Sequence, residues 1–260
     1  MKRIEAVIFD WAGTTVDHGS LAPVRAILRL FERHAIQVTD AQARADMGIY
    51  KKDHIRSLLN MPTVASQWRA GTGADPVEAD VEHLFEEFLP LQTHVLREHS
   101  TLIADTANVV GDLRSRGLRI GATTGYTRPM LDILETSAQA QGYRPDLSYC
   151  PDDVGAGRPL PRMCLRLALD FEVSAVDRVV KIGDTPSDIH EARNAGMWAV
   201  GVAATGNELG LSEAEFSALA PSERDRLLAG ARANLTAAGA HFVIDHLTQL
   251  DGVLKEIADH

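Results

Sequence analysis

The chain has 260 residues, 45% of them hydrophobic, which suits one large domain or a domain carrying a smaller insert. A formal net charge of -10 argues against a general nucleic-acid binder, since such proteins neutralise phosphates with a basic surface. Lys2 and Arg3 precede an apolar run that ends at Asp10, too short for a signal-peptide core, and no stretch nears the roughly 18 to 20 apolar residues that span a bilayer, so a cytoplasmic protein without membrane partners is expected.

In chain order, the first expected strand is 6–9, an apolar run that ends on Asp10. From about Ser20 to Glu98 there are helix patterns and no convincing strand. Val24, Ile27, Leu28 and Phe31 have helical spacing, as do Val77, Val81, Leu84, Phe85 and Phe88, with a kink expected at Pro90 and an ordinary loop at Gly71-Thr72-Gly73. Beyond residue 98, short apolar runs alternate with helix-like stretches. Strands are expected at 119–123, 147–149, 179–182, 199–202 and 242–244, and helices around 109–116, 128–139, 161–171 and 188–195. The pattern predicts a doubly wound, Rossmann-like parallel sheet core, residues 1–19 and 99–260, with an all-helical cap domain, residues 20–98, inserted after the first strand. That insertion point sets the cap over the carboxyl end of the sheet, where such folds bind ligands. Cys150 and Cys164 have no metal-ligand spacing and read as reduced packing residues.

Four features at or just beyond strand ends carry chemistry. Asp10 ends the first apolar run, and Gly13 permits the tight backbone a nearby substrate requires. Thr123-Thr124-Gly125 can offer hydroxyl and backbone donors to a phosphoryl oxygen. Gly157-Arg158-Pro159 holds one fixed cation in a loop, and arginine suits planar recognition of phosphate. Gly183-Asp184-Thr185-Pro186-Ser187-Asp188 supplies two carboxylates, the hard oxygen ligands that magnesium takes. Each alone has an ordinary reading as a cap, turn or surface charge. In this order the set resembles the haloacid dehalogenase superfamily. The resemblance implies Asp10 as nucleophile, Thr124 and Arg158 as holders of a phosphoryl group, and Asp184 as a magnesium ligand supported by Asp188.

One position departs from that pattern. Phosphatases of the superfamily carry a second aspartate where this chain has Ala12. That acid protonates a leaving alkoxide and later activates water, a type of role worth about 10²- to 10⁴-fold in rate. Lys51 offers another chemistry, because an amine that condenses with a carbonyl becomes a protonated imine, an electron sink for an adjacent breaking bond. Such a sink suits cleavage of a carbon-phosphorus bond, as in phosphonoacetaldehyde.

The segment Met47-Gly48-x-x-Lys51-x-x-His54, the alanine-bearing first motif, Thr124-Gly125-Tyr126-Thr127-Arg128 and Asn194-Ala195-Gly196-Met197-Trp198 resemble the phosphonoacetaldehyde hydrolase family, over nearly the whole chain. The resemblance implies a Schiff base at Lys51 and magnesium held by Asp10, the backbone of Ala12 and Asp184. It also implies a homodimer joined through the caps, acting on a small phosphonate in 2-aminoethylphosphonate degradation. Met47, Lys51 and His54 share a helical face, so Met47 and Gly48 are expected at the pocket and His54 as a proton shuttle. Lys52 is expected to lower the pKa of Lys51 by its charge. Tyr126 is open between substrate contact and packing, and His34, His83, His94 and His241 read as structural. The alternatives are a metal-independent haloacid dehalogenase and a catalytically silent phosphate-binding module.

Overall fold

The computed structural model describes residues 4–259, so Lys2 and Arg3 lie outside the described residues. Six strands form one all-parallel sheet, β1 (Ala6–Asp10), β2 (Arg119–Thr123), β3 (Leu147–Tyr149), β4 (Val179–Gly183), β5 (Trp198–Val202) and β6 (Phe242–Ile244), in the order β3-β2-β1-β4-β5-β6. Every residue of β1 is buried, as a strand covered on both faces must be. Side chains alternate between the faces. Val7 and Phe9 join the cluster that holds Ile120 and Val180, while Ala6 and Ile8 join the one that holds Cys164 and Leu167. Cys150 and Cys164 are buried free thiols.

Of the six helices between β1 and β2, the first five, α1 (Leu21–Arg33), α2 (Asp40–Ala45), α3 (Lys51–Asn60), α4 (Pro62–Thr72) and α5 (Glu78–Glu98), form the insert. Helices α1 and α3 pack on α5 through Val24, Ile27, Phe31, Ile55 and Leu58 against Val81, Leu84 and Phe88. The fold is therefore a doubly wound parallel sheet with a helical cap inserted after its first strand. Two local expectations are corrected. Gly71 and Thr72 finish α4, and only Gly73, in the left-handed region that ends a helix, leaves it. Val77 is exposed, because it flanks the first turn of α5 instead of lying on its packed face. Helix α5 runs unbroken through Pro90.

Around the sheet lie α6 (Thr106–Ser115), α7 (Arg128–Ala140), α8 (Pro151–Val154), α9 (Arg162–Asp170), α10 (Pro186–Asn194), α11 (Glu213–Ala218), α12 (Pro221–Ala237) and α13 (Leu250–Asp259). Helix α12 has no strong apolar stripe, since it buries only Leu228, Ala231 and Leu235 over seventeen residues, and periodicity does not flag it. Among the described residues, no helix is long and apolar enough to cross a membrane.

Candidate active site

Asp10 is the last residue of β1, and the Thr15 hydroxyl donates to its carbonyl at 3.0 Å, which fixes the turn that follows. The amides of Thr14, Thr15 and Val16 all donate to the Trp11 carbonyl, so the carbonyl of Ala12 stands outside that hydrogen-bond pattern. Arg158, from the loop between α8 and α9, enters beneath the strand ends and is almost wholly buried. Its Nη2 donates to Asp10 Oδ1 at 2.7 Å and to the carbonyl and hydroxyl of Thr123 at 2.9 and 2.8 Å. Its Nη1 lies 3.0 Å from Asp188 Oδ1, and its Nε donates to Glu191 Oε2 at 2.9 Å.

Asp184 follows β4 and accepts from the Thr14 hydroxyl at 3.1 Å and the Asn207 amide at 2.8 Å. Asp188 sits in the first turn of α10, where the Thr185 hydroxyl donates to Oδ2 at 2.7 Å and Lys181 Nζ donates to Oδ1 at 2.6 Å. Carboxylate oxygens of Asp10, Asp184 and Asp188 lie within 4.8 Å of one another, all buried. Burial and the Asp188 charge push Asp10 above the ordinary carboxylate range, and burial, Asp10 and then Asp188 push Asp184 well above it. Burial would raise Asp188 too, but Arg158 and Lys181 outweigh it and hold that group low. Four buried carboxylates, Asp10, Asp184, Asp188 and Glu191, thus lie among three buried cations, Arg158, Lys181 and Lys51, and the ion pairs of Arg158 and Lys181 leave Asp184 out. Excess negative charge at a set of hard oxygen donors fits a divalent cation. Asp188 has two donors on each oxygen, from Lys181 and Arg158 on Oδ1 and from the Thr185 hydroxyl and amide on Oδ2, whereas Asp184 has one on each and Asp10 one on Oδ1, so the open lone pairs are on Asp10 and Asp184.

The cap supplies the opposite wall. Lys51 opens α3 and is buried, with Nζ 3.7 Å from Met47 Sδ and 5.3 Å from the ring centre of Tyr126. Burial, and secondarily Arg158, pull its pKa down to about 8, although Asp10 and Asp184 act the other way. The chain before α3 lies directly on the core. Gly48 has φ +92, and a Cβ there would press on Thr185, while a Cβ on Gly125 would collide with the carbonyls of Gly48 and Ile49.

One cavity brings together Asp10, Ala12, Met47, Gly48, Lys51, Thr124, Gly125, Tyr126 and Arg158, with Ser20, Pro23 and Thr185 also in its wall. Its free volume is about 20 Å³, room for about one water. Tyr126 both lines the cavity and is 2% exposed, with its pKa raised well above the ordinary range by burial. His54 is fully buried and absent from the cavity wall, and burial followed by the Lys51 charge lowers its pKa to about 3. One expectation for the cap is corrected. Lys52 ion-pairs with Glu82 on α5, so burial and Arg158, not Lys52, lower the Lys51 pKa.

Sequence reading passed over Lys181, Glu191, Thr14 and Asn207. Lys181 had a signal, a lone charge inside the apolar run of β4, and Glu191 lies three residues after Asp188 on the same helix. Asn207 had none, because its role comes from a loop folding back on Asp184.

The sheet, its insert and this carboxylate cluster define a hydrolase with an aspartate at the end of its first strand. The chain belongs to the haloacid dehalogenase-like hydrolase family, whose profile matches residues 4–196. It is 45% identical over 255 residues to the phosphonoacetaldehyde hydrolase of Bacillus cereus (strain AH187), covering 98% of this chain and 97% of that one. The Bacillus anthracis protein of the same name is 44% identical over the same coverage. A phosphonoacetaldehyde hydrolase-like protein from Oleispira antarctica superposes with a TM-score of 0.97 at 40% identity, over 98% of this chain and 93% of that one.

Proposed function

We propose that this hydrolase cleaves the carbon-phosphorus bond of phosphonoacetaldehyde, giving acetaldehyde and phosphate, in the degradation of 2-aminoethylphosphonate. One observation carries the assignment: a buried lysine amine with a depressed pKa shares one small cavity with Asp10, while position 12 there is alanine. A phosphate ester needs an acid for its leaving oxygen, which Ala12 cannot provide. A carbon leaving group needs an electron sink, which an amine can make.

In the proposed sequence the neutral amine of Lys51 adds to the aldehyde and loses water, leaving a protonated imine one carbon from phosphorus. Arg158, Thr124 and Gly125 hold the phosphonate oxygens, with Met47, Gly48 and Tyr126 closing the pocket round the carbon chain. Asp10 attacks phosphorus, and the electrons of the breaking bond pass into the imine to form an enamine. Protonation on carbon and hydrolysis release acetaldehyde from Lys51, and water frees phosphate from Asp10. Magnesium, held by Asp10, the Ala12 carbonyl and Asp184 with Asp188 behind them, would neutralise charge on the phosphonate and the attacking carboxylate. Residues 20–98 act as the cap, and a cytoplasmic homodimer joined through the caps completes the proposal.

The test is reduction with borohydride in the presence of phosphonoacetaldehyde, followed by peptide mass analysis. A two-carbon label is expected on Lys51 and none on Lys52. A label elsewhere, or release of phosphate from simple esters in preference to phosphonoacetaldehyde, would refute the assignment.

A further inference from the structure

The loop after β5 touches four parts of the site at once. Thr205 donates through its hydroxyl to the Gly13 carbonyl at 2.7 Å, and its own carbonyl accepts from the Gly19 amide at 2.7 Å. Two residues on, the Asn207 amide donates to Asp184 Oδ2 at 2.8 Å. The Asn207 side chain turns toward the cap, where Nδ2 donates to the Arg44 carbonyl at 3.3 Å and Oδ1 accepts from the Arg44 guanidinium at 3.2 Å. Asn207 is 4% exposed, so both contacts are made out of water.

Arg44 belongs to α2 and spends its guanidinium on the core. Nη1 also donates to the Gly19 carbonyl at 2.9 Å, and Nη2 donates to the Gly210 carbonyl at 3.2 Å. Nε donates to Asp40 Oδ2 at 2.7 Å within its own helix. Arg44 is thus fastened to the chain entering the cap at Gly19 and to the loop that supports Asp184. It is paired with none of the carboxylates of the cluster, and its connection to Asp184 runs through Asn207.

We propose that Arg44 and Asn207 form a latch, made when the cap shuts, that holds Asp184 in the orientation in which it binds a divalent cation, so that cap closure and metal affinity are coupled. The inference rests on Asp184 being a metal ligand. With the latch broken, the stretch that carries the Asn207 amide loses its own hold on the cap, and Asp184 keeps the Thr14 hydroxyl as its other fixed donor. Outer contacts of this kind orient the ligand that touches the metal. Coupling of two binding events is reciprocal, so metal favours the shut cap as much as the shut cap favours metal. Asn207 and Arg44 are therefore positioning residues, set apart from the reacting atoms.

Calorimetric titration of Mg²⁺ into the substrate-free protein tests this, using wild type, Arg44→Ala, Asn207→Ala and the double variant, with kcat and KM for phosphonoacetaldehyde measured alongside. Each single change is expected to weaken Mg²⁺ binding about tenfold, and the double variant to bind no more weakly than the worse single, because both break one connection. The same pattern is expected in kcat/KM. Arg44→Lys keeps the charge and loses the fork, and it serves with the same expected direction if Arg44→Ala does not fold. Mg²⁺ affinity within twofold of wild type in the Arg44 variant, or losses that add in the double variant, would overturn the latch. A wild-type protein that binds no Mg²⁺ would overturn the metal assignment and the latch with it, whereas absence of phosphonoacetaldehyde turnover alone would overturn only the proposed reaction.

Discussion

The pKa of Lys51 makes the proposed reaction measurable as a pH profile. At pH 7 a lysine with an ordinary value of 10.5 is neutral in about 0.03% of molecules, whereas one near 8 is neutral in about 9%, a gain of about 300-fold in amine able to attack. The sign follows from the chemistry. Attack needs the unprotonated amine, so kcat/KM should rise about tenfold per pH unit below 8 and level off above it. Asp10 and Asp184 both pull the Lys51 pKa upward, so a saturating divalent cation, which cancels their charge, should move the break to lower pH. The assay is acetaldehyde release at sub-saturating phosphonoacetaldehyde, from pH 6 to 10, at low and saturating Mg²⁺. A rise that continues past pH 10, or a break that moves upward with Mg²⁺, would refute the account of Lys51 as an amine neutralised by burial. Lys51→Arg retains the cation but cannot form the imine, and it should abolish both turnover and borohydride labelling.

Three further outcomes are expected. Gly125→Ala places a methyl group against the backbone carbonyls of Gly48 and Ile49, which cannot rotate away, so the cap must stand off; a displacement near 1 Å costs about 10²-fold in kcat/KM, with little change in thermal midpoint, and wild-type kcat/KM would contradict the close approach. Chelation should remove about 10²-fold or more of the activity, with recovery on adding Mg²⁺, as expected for the loss of several kcal/mol of charge stabilisation; full activity in chelator would exclude the metal role. His54 takes up a proton at about 6.5 in the unfolded chain but only at about 3 in the folded one, so stability should fall as pH drops through that window, by about 2 kcal/mol at pH 5. Urea unfolding of wild type and His54→Gln at pH 7 and pH 5 measures this, and an equal drop in both would show that His54 is not the cause.

Much of the molecule is legible in the sequence because the responsible forces are local. Strands of a parallel sheet are short, mostly apolar runs, and 119–123, 147–149 and 242–244 match the observed β2, β3 and β6 end to end. The turn after Asp10 and the cap segment around Lys51 are likewise contiguous, and Asp10, Ala12, Met47, Gly48, Lys51, Thr124, Gly125, Tyr126 and Arg158 line one cavity. Helix α12 escapes because its buried positions are too few to make a stripe.

Charge environments were decided only by the tertiary structure. The sequence determined that Lys51 and Lys52 are neighbours, yet α3 turns one into the cavity and the other to Glu82, so two identical side chains meet opposite dielectrics. It determined that a histidine lies three residues after Lys51, but packing of α3 buries that ring off the cavity. Lys181, Glu191 and Asn207 come from a strand, a helix and a loop and act by converging on Arg158, Asp188 and Asp184, a proximity written in no local spacing. Backbone periodicity is set by neighbours in the chain, whereas a pKa or an ion pair is set by whatever the fold brings within a few ångströms.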